Sequence, residues 1–249
     1  MSKKTRSCIL ALFLTIGICL LSAYYLFYFF FAEEGREYIG AESYRINPDT
    51  ILEDLSQGKT DVFTPQEDQS DEKTREYVEW TLADYDLIAQ ALHELVWEDP
   101  LDEWKMSLMS FDWDCEHIDK GPQVADYRYF KVEKLRERKS RFVSDLFVNP
   151  RKDNVYATMK EHYPRLCCWD VINPKKLGVS AVEALAIAEK NGGAESRAAV
   201  GNSCHIYVTL NPANPAYGGW NIRYSYLGTI DQYYIDPKTG EVVAKLEKE

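Results

Sequence analysis

The sequence predicts an α+β protein: an N-terminal transmembrane helix followed by two tandem modules, each a helix with a small antiparallel sheet. Three observations carry this. First, a pattern occurs twice, with Phe147-Val148-Asn149-Pro150-Arg151-Lys152-Asp153-Asn154-Val155-Tyr156-Ala157 aligning with Tyr234-Ile235-Asp236-Pro237-Lys238-Thr239-Gly240-Glu241-Val242-Val243-Ala244. A helical segment precedes each copy at a similar offset, the mark of an internal repeat. Second, a long uncharged run lies near the N-terminus. Third, in each half an apolar pattern of helical period gives way to strand-like alternation, the order expected of a helix laid on an antiparallel sheet.

Residues Cys8 to Ala32 carry no charge. About 20 mostly apolar residues suffice to span a bilayer, so this run can cross it with some tilt. Lys3, Lys4 and Arg6 precede it and Glu33 and Glu34 follow it, which places the N-terminus in the cytoplasm and the rest of the chain outside. Tyr24, Tyr25, Phe27 and Tyr28 make its outer end aromatic, as suits the headgroup level. A cleaved signal peptide has a shorter apolar core and a small-x-small site, and Leu21-Ser22-Ala23 is a poor one. Residues 1–32 therefore read as a cytoplasmic stub and an uncleaved signal anchor, and the protein as single-pass in the cell membrane.

Residues 33–76 read as a polar linker. Pro48, Gly58 and Pro65 interrupt it, and Asn47-Pro48-Asp49 before Ile51, Leu52 and Leu55 opens a short helix. The first, degenerate module covers 77–172. Val78, Leu82, Tyr85, Ile88, Ala89, Leu92 and Leu95 form one apolar helix face, and Thr81 with Asp84 makes a capping box. Strands follow at Trp104 to Phe111 and Tyr127 to Leu135, then a hairpin from Phe142 to Met159 turning at Asn149-Pro150.

The second module covers 173–249. Ser180 and Glu183 repeat the cap, and the helix runs to Asn191-Gly192-Gly193, where glycine suits a helix end. Strands are expected at His205 to Leu210, Trp220 to Tyr226, Ile230 to Ile235 and Glu241 to Leu246. In the turn Asp236-Pro237-Lys238-Thr239-Gly240, Pro presets the first position, Asp bonds the backbone ahead and Gly takes a positive φ. Asp153 stands in Gly240's place in the first copy, and Asp tolerates that region next best.

Two segments of the second module, Val179-Ser180-Ala181-Val182-Glu183-Ala184-Leu185-Ala186-Ile187-Ala188-Glu189 and Tyr233-Tyr234-Ile235-Asp236-Pro237-Lys238-Thr239-Gly240-Glu241-Val242-Val243, resemble the PepSY family. The resemblance covers Leu177 to Leu246, and the first module is a more degenerate version, roughly Thr81 to Met159. It implies a bacterial, extracytoplasmic, non-catalytic module that binds or restrains proteases. The family has no catalytic residues to carry across. The long Asn211-to-Gly219 loop is a departure from its pattern.

The formal net charge is −11. Removing Lys3, Lys4 and Arg6 from the 29 Lys and Arg, against 40 Asp and Glu, leaves the exported part at −14. Such a surface disfavours nucleic acid and anionic lipid headgroups. Outside the anchor, Cys115, Cys167, Cys168 and Cys204 meet an oxidising compartment and can pair in three ways. A Cys167–Cys168 bridge between neighbours is strained; it would accompany a disulfide of Cys115 with Cys204.

The densest polar cluster runs from Asp112 to Asp119. Asp112, Asp114, Glu116, His117 and Asp119 are weak candidates for a calcium or zinc site, and a metal-dependent hydrolase built on them is the enzymatic alternative. A solvated acidic loop between two strands accounts for them better, since an EF-hand loop needs Gly where His117 stands. No H-E-x-x-H or G-x-S-x-G occurs, and Cys204 and His205, adjacent in a strand, face opposite ways. No catalytic residue and no cofactor is therefore assigned. Trp97, Trp104, Trp113, Trp169 and Trp220 read as core packing ahead of a peptide or glycan groove. The expected function is a membrane-anchored extracytoplasmic binding or regulatory protein with an envelope protein as partner, a protease or cell-wall enzyme, or else a purely structural envelope protein.

Overall fold

The computed structural model describes residues 36–66, 77–135, 138–162, 171–211 and 219–247, together with Thr15 and residues 17–24. Thr15 and residues 17–24 are helical, and among the described residues no helix is long and apolar enough to cross a membrane. The rest of the run expected as the anchor lies outside the described residues. So do Cys167, Cys168, Trp169, residues 67–76 and the interior of the Asn211-to-Gly219 loop.

Among the described residues ten strands form one sheet: β1 (Arg36–Arg45), β2 (Thr64–Pro65), β3 (Lys105–Asp114), β4 (Val124–Leu135), β5 (Arg138–Asn149), β6 (Asn154–His162), β7 (His205–Asn211), β8 (Gly219–Ser225), β9 (Thr229–Ile235) and β10 (Val242–Glu247). Their order is β10-β9-β8-β7-β3-β4-β5-β6-β1-β2, with every neighbouring pair antiparallel. Beyond the N-terminal helical residues, the α-helices among the described residues are α1 (Ile51–Ser56), α2 (Leu82–Trp97), α3 (Ala181–Ala188) and α4 (Ala194–Ala198).

In chain order, α2 leads into the meander β3–β6, and α3 with α4 leads into the meander β7–β10. The first strands of the two meanders pair with each other, from Met109 opposite Leu210 to Asp114 opposite His205. The two helix-and-meander units thus share one continuous sheet. Pairing β3 with β7 removes two exposed edges and lets two marginal cores become one. The pooled core is visible in the contacts. Phe111 and Trp113 of β3, Ile206 and Val208 of β7, Ile88 and Leu92 of α2, and Ala184 and Leu185 of α3 belong to a single buried cluster. Both helices therefore pack on the same face. Trp104, Trp113 and Trp220 are buried in that cluster and Trp97 packs against it.

Local chemistry sets the helix starts. Thr81 and Asp84 bond reciprocally, as do Ser180 and Glu183, completing both capping boxes. The second helix does not end where expected. It passes through a wide turn at Glu189–Gly193, kinked at Asn191 and Gly192, and resumes as α4. Gly192 has φ 114°, and a Cβ there would meet Lys245 Nζ and Tyr233 OH at 3.1 Å, while one at Gly193 would overlap the Tyr224 hydroxyl. The glycine pair lets the kinked helix lie close on β8–β10.

The matched turns follow the expected backbone: Asp153 has φ 51° and Gly240 φ 74°. Asp236 Oδ1 accepts from the backbone N–H of Lys238 and Thr239, each at 2.8 Å. Strands differ from expectation as well. The segment Arg36–Arg45, read as polar linker, is β1 and pairs along β6. β3 continues past Phe111 to Asp114, so Asp112 and Asp114 stand in a strand and not in a loop. The alternation Phe111-Asp112-Trp113-Asp114 simply extends the buried–exposed period of two.

Candidate functional surface

Because both helices cover one face, the other face of the sheet carries no helix among the described residues. The period of two sends a polar set there. Across the centre it presents Arg223 of β8, Tyr207 and Thr209 of β7, Ser110 and Asp112 of β3, Asp126 and Arg128 of β4, and Asp145 of β5. Several pairs knit neighbouring strands. Ser110 and Thr209 hydroxyls lie 2.7 Å apart across the β3–β7 joint, and the Arg223 guanidinium lies 4.7 Å from the Tyr207 ring centre. Asp145 accepts from Arg128 Nε at 2.6 Å and Lys160 Nζ at 3.3 Å.

Asp112 faces His205, with Oδ1 to Nδ1 at 3.4 Å. Burial pushes the Asp112 carboxyl up to about 6, against the pull of His205. Asp126 stands between Ser110 and Phe147 on the neighbouring strands. Burial, with the Asp145 carboxylate adding to it, raises Asp126 to about 6 as well.

The cluster singled out in the sequence does not converge on one point, although His117 Nδ1 comes within 4.0 Å of Asp114 Oδ1. Asp114 accepts from Tyr77 OH at 3.5 Å and from the Glu116 backbone N–H at 2.9 Å. The His117 ring lies tilted by 33° against Tyr77 with centroids 3.8 Å apart, and Arg151 lies over the same tyrosine at 5.5 Å. Glu116 and Asp119 point to solvent. Among the described residues no three His, Cys, Asp or Glu side chains form a group that could hold a metal ion. Cys115 and Cys204 are disulfide-bonded, with Cα atoms 5.1 Å apart, at the end of β3 and the start of β7. Cys204 is buried and His205 exposed, as adjacent strand residues should be. Asp126, Asp145 and His205 on this face went unremarked as a group in the sequence. Their only signal is alternation, which identifies a face and not the neighbours on it.

At the β6 side of the same face lies a groove of about 380 Å³ over β1, β5 and β6. Phe147 and Tyr156, directly opposite each other, line it with ring centroids 5.0 Å apart, and Asn149 opposite Asn154 forms its next row.

The family described as "Peptidase propeptide and YPEB domain", PepSY, matches residues 178–246. No curated protein and no solved structure matches the chain. The match runs from the residue before Val179, through the kinked helix, to β10. Its two sequence motifs are one packing unit in space. The Gly178 and Val179 backbone N–H groups donate to the Pro237 carbonyl at 2.9 and 3.1 Å, and Trp220 Nε1 donates to the Val179 carbonyl at 2.9 Å. A PepSY domain is thus found at residues 178–246.

Proposed function

We propose that this is a membrane-anchored, extracytoplasmic binding protein that holds or restrains an envelope peptidase or cell-wall enzyme. The observation that carries the reading is the PepSY domain at 178–246, a domain type associated with propeptide-like binding and not with catalysis. The uncharged run Cys8 to Ala32, behind Lys3, Lys4 and Arg6, supports an anchor with the N-terminus in the cytoplasm. The Cys115–Cys204 bond is in keeping with an oxidising compartment outside it. The recurrence of helix and four-strand meander, with matched turns at Asp153 and Gly240, supports a tandem PepSY-like origin for both units. The helix-free face, mixed in charge and built on rigid strands, is the surface offered to the partner.

The test is cross-linking of the native protein in its membrane, capture, and assay of the recovered enzyme with and without the purified protein. Recovery of one peptidase or wall enzyme whose activity falls on addition of the protein is the expected result. Turnover by the purified protein itself, abolished by a point mutation, would overturn the reading in favour of an enzyme. Recovery of the protein alone would favour a structural role.

A further inference from the structure

We propose that the groove over β1, β5 and β6 is a saccharide-binding site for a short stretch of neutral glycan. It lies outside the PepSY domain and stands whether or not that domain docks a peptidase. The groove measures about 380 Å³, within the roughly 300–1,000 Å³ of ordinary ligand sites. Its walls are strands and one tight turn, which hold side chains in place better than long loops do.

The lining chemistry selects the ligand. Phe147 and Tyr156 sit on the face away from the helices, and neither belongs to the hydrophobic core, so core packing does not account for the pair. Tyr156 is 38% exposed, which leaves ring surface bare. The apolar C–H face of a pyranose is weakly positive and rests on the negative face of an aromatic ring. Burial, with Asp126 and Asp145 nearby, keeps the Tyr156 hydroxyl protonated and able to donate.

The next row supplies two carboxamides, each a donor and an acceptor, as a sugar's adjacent hydroxyls require. Both are pre-oriented: Asn149 Oδ1 accepts from the Lys152 backbone N–H at 3.3 Å, and Asn154 Oδ1 from the Ser43 hydroxyl at 3.4 Å. Glu42 and Lys152 give the lining one charge of each sign. A phosphate-bearing ligand would need surplus cations and a basic peptide surplus carboxylates, whereas a neutral polyol matches a balanced wall of amides, hydroxyl and rings.

The test is titration of the full-length protein in detergent micelles with chitotetraose, which carries acetamido groups, and cellotetraose, which does not. At least one should bind; which one does tells an amino-sugar polymer from a plain hexose polymer. Tyr156→Ala should weaken binding roughly tenfold or more while Tyr156→Phe keeps most of it, and Asn154→Ala should weaken it independently. Circular dichroism checks the fold of each variant, and Asn154→Ala carries the test if Tyr156→Ala misfolds. No binding of either tetrasaccharide, or unchanged binding in the folded variants, would overturn the proposal.

Discussion

Asp112 and Asp126 occupy adjacent strands on the helix-free face, and in both the loss of hydration outweighs nearby positive charge. A carboxyl whose folded pKa exceeds its unfolded one binds more protons in the folded state across the interval between them. The fold is therefore favoured on the acidic side, and that contribution is lost as pH rises from about 4 to about 6. Asp126→Asn removes a buried ionised carboxyl and should stabilise the protein at pH 7.5 by about 1–2 kcal/mol, with little difference near pH 4. Urea denaturation at the two pH values measures it; an equal effect at both would mean the carboxyl is fully solvated. Asp112→Asn should gain less, because it also gives up the charged partner of His205.

At the scale of elements, the helix start and the β9–β10 turn of the PepSY domain depend on each other. Gly178 donates to the Pro237 carbonyl, and a Cβ on Gly178 would overlap the carbonyl oxygen of Lys238. That obstacle is backbone held by a turn, so it cannot swing aside as a side-chain tip would. Gly178→Ala should destabilise by about 1–3 kcal/mol, the usual cost of overpacking, seen as a lower thermal midpoint. Gly240 belongs to the same contact, since a Cβ there would press on Ile187 and Val179 at 3.1 and 3.3 Å. Ser180 and Glu183 only start the helix. The glycines decide how closely it and the turn approach.

For the whole molecule the decisive feature is the β3–β7 joint. Six residue pairs from Met109–Leu210 to Asp114–His205 hold it, and the Cys115 N–H donates to the Cys204 carbonyl at 3.0 Å beside the disulfide. Arg197 braces the same corner through Glu189 and Asn202, both at 2.9 Å. The disulfide closes a separation of 89 residues, so it restricts the unfolded chain strongly. Replacing both cysteines by serine should cost about 2–4 kcal/mol and place the earliest loss of amide protection at β3 and β7. Uniform loss across the sheet would show that the joint is not the weak seam.

What could be read from the sequence was local. Thr81 with Asp84 and Ser180 with Glu183 mark helix starts because a cap acts over three residues. Asp236-Pro237-Lys238-Thr239-Gly240 marks a hairpin because its bonds lie within the turn. The polar run from Asp112 to Asp119 points to a loop, yet the alternation of Asp112 and Asp114 with Phe111 and Trp113 continues the strand. β1 was missed because Arg36–Arg45 alternates weakly around Gly40, and its state comes from the open edge of β6. Three cysteine pairings stayed open because no local rule reaches from Cys115 to Cys204. Local pattern was enough for both helix starts, for the Asp236–Gly240 turn and for most of the strands from β3 to β10, since these follow from periods of 3.6 and 2 and from turn chemistry. That β3 pairs β7, that Asp112 and Asp126 lose their water, and that Phe147, Tyr156, Asn149 and Asn154 share a groove follows from the assembled fold alone. Strand order is chosen by contacts between segments far apart in the chain, where pooling cores and hiding edges outweighs anything a single segment encodes.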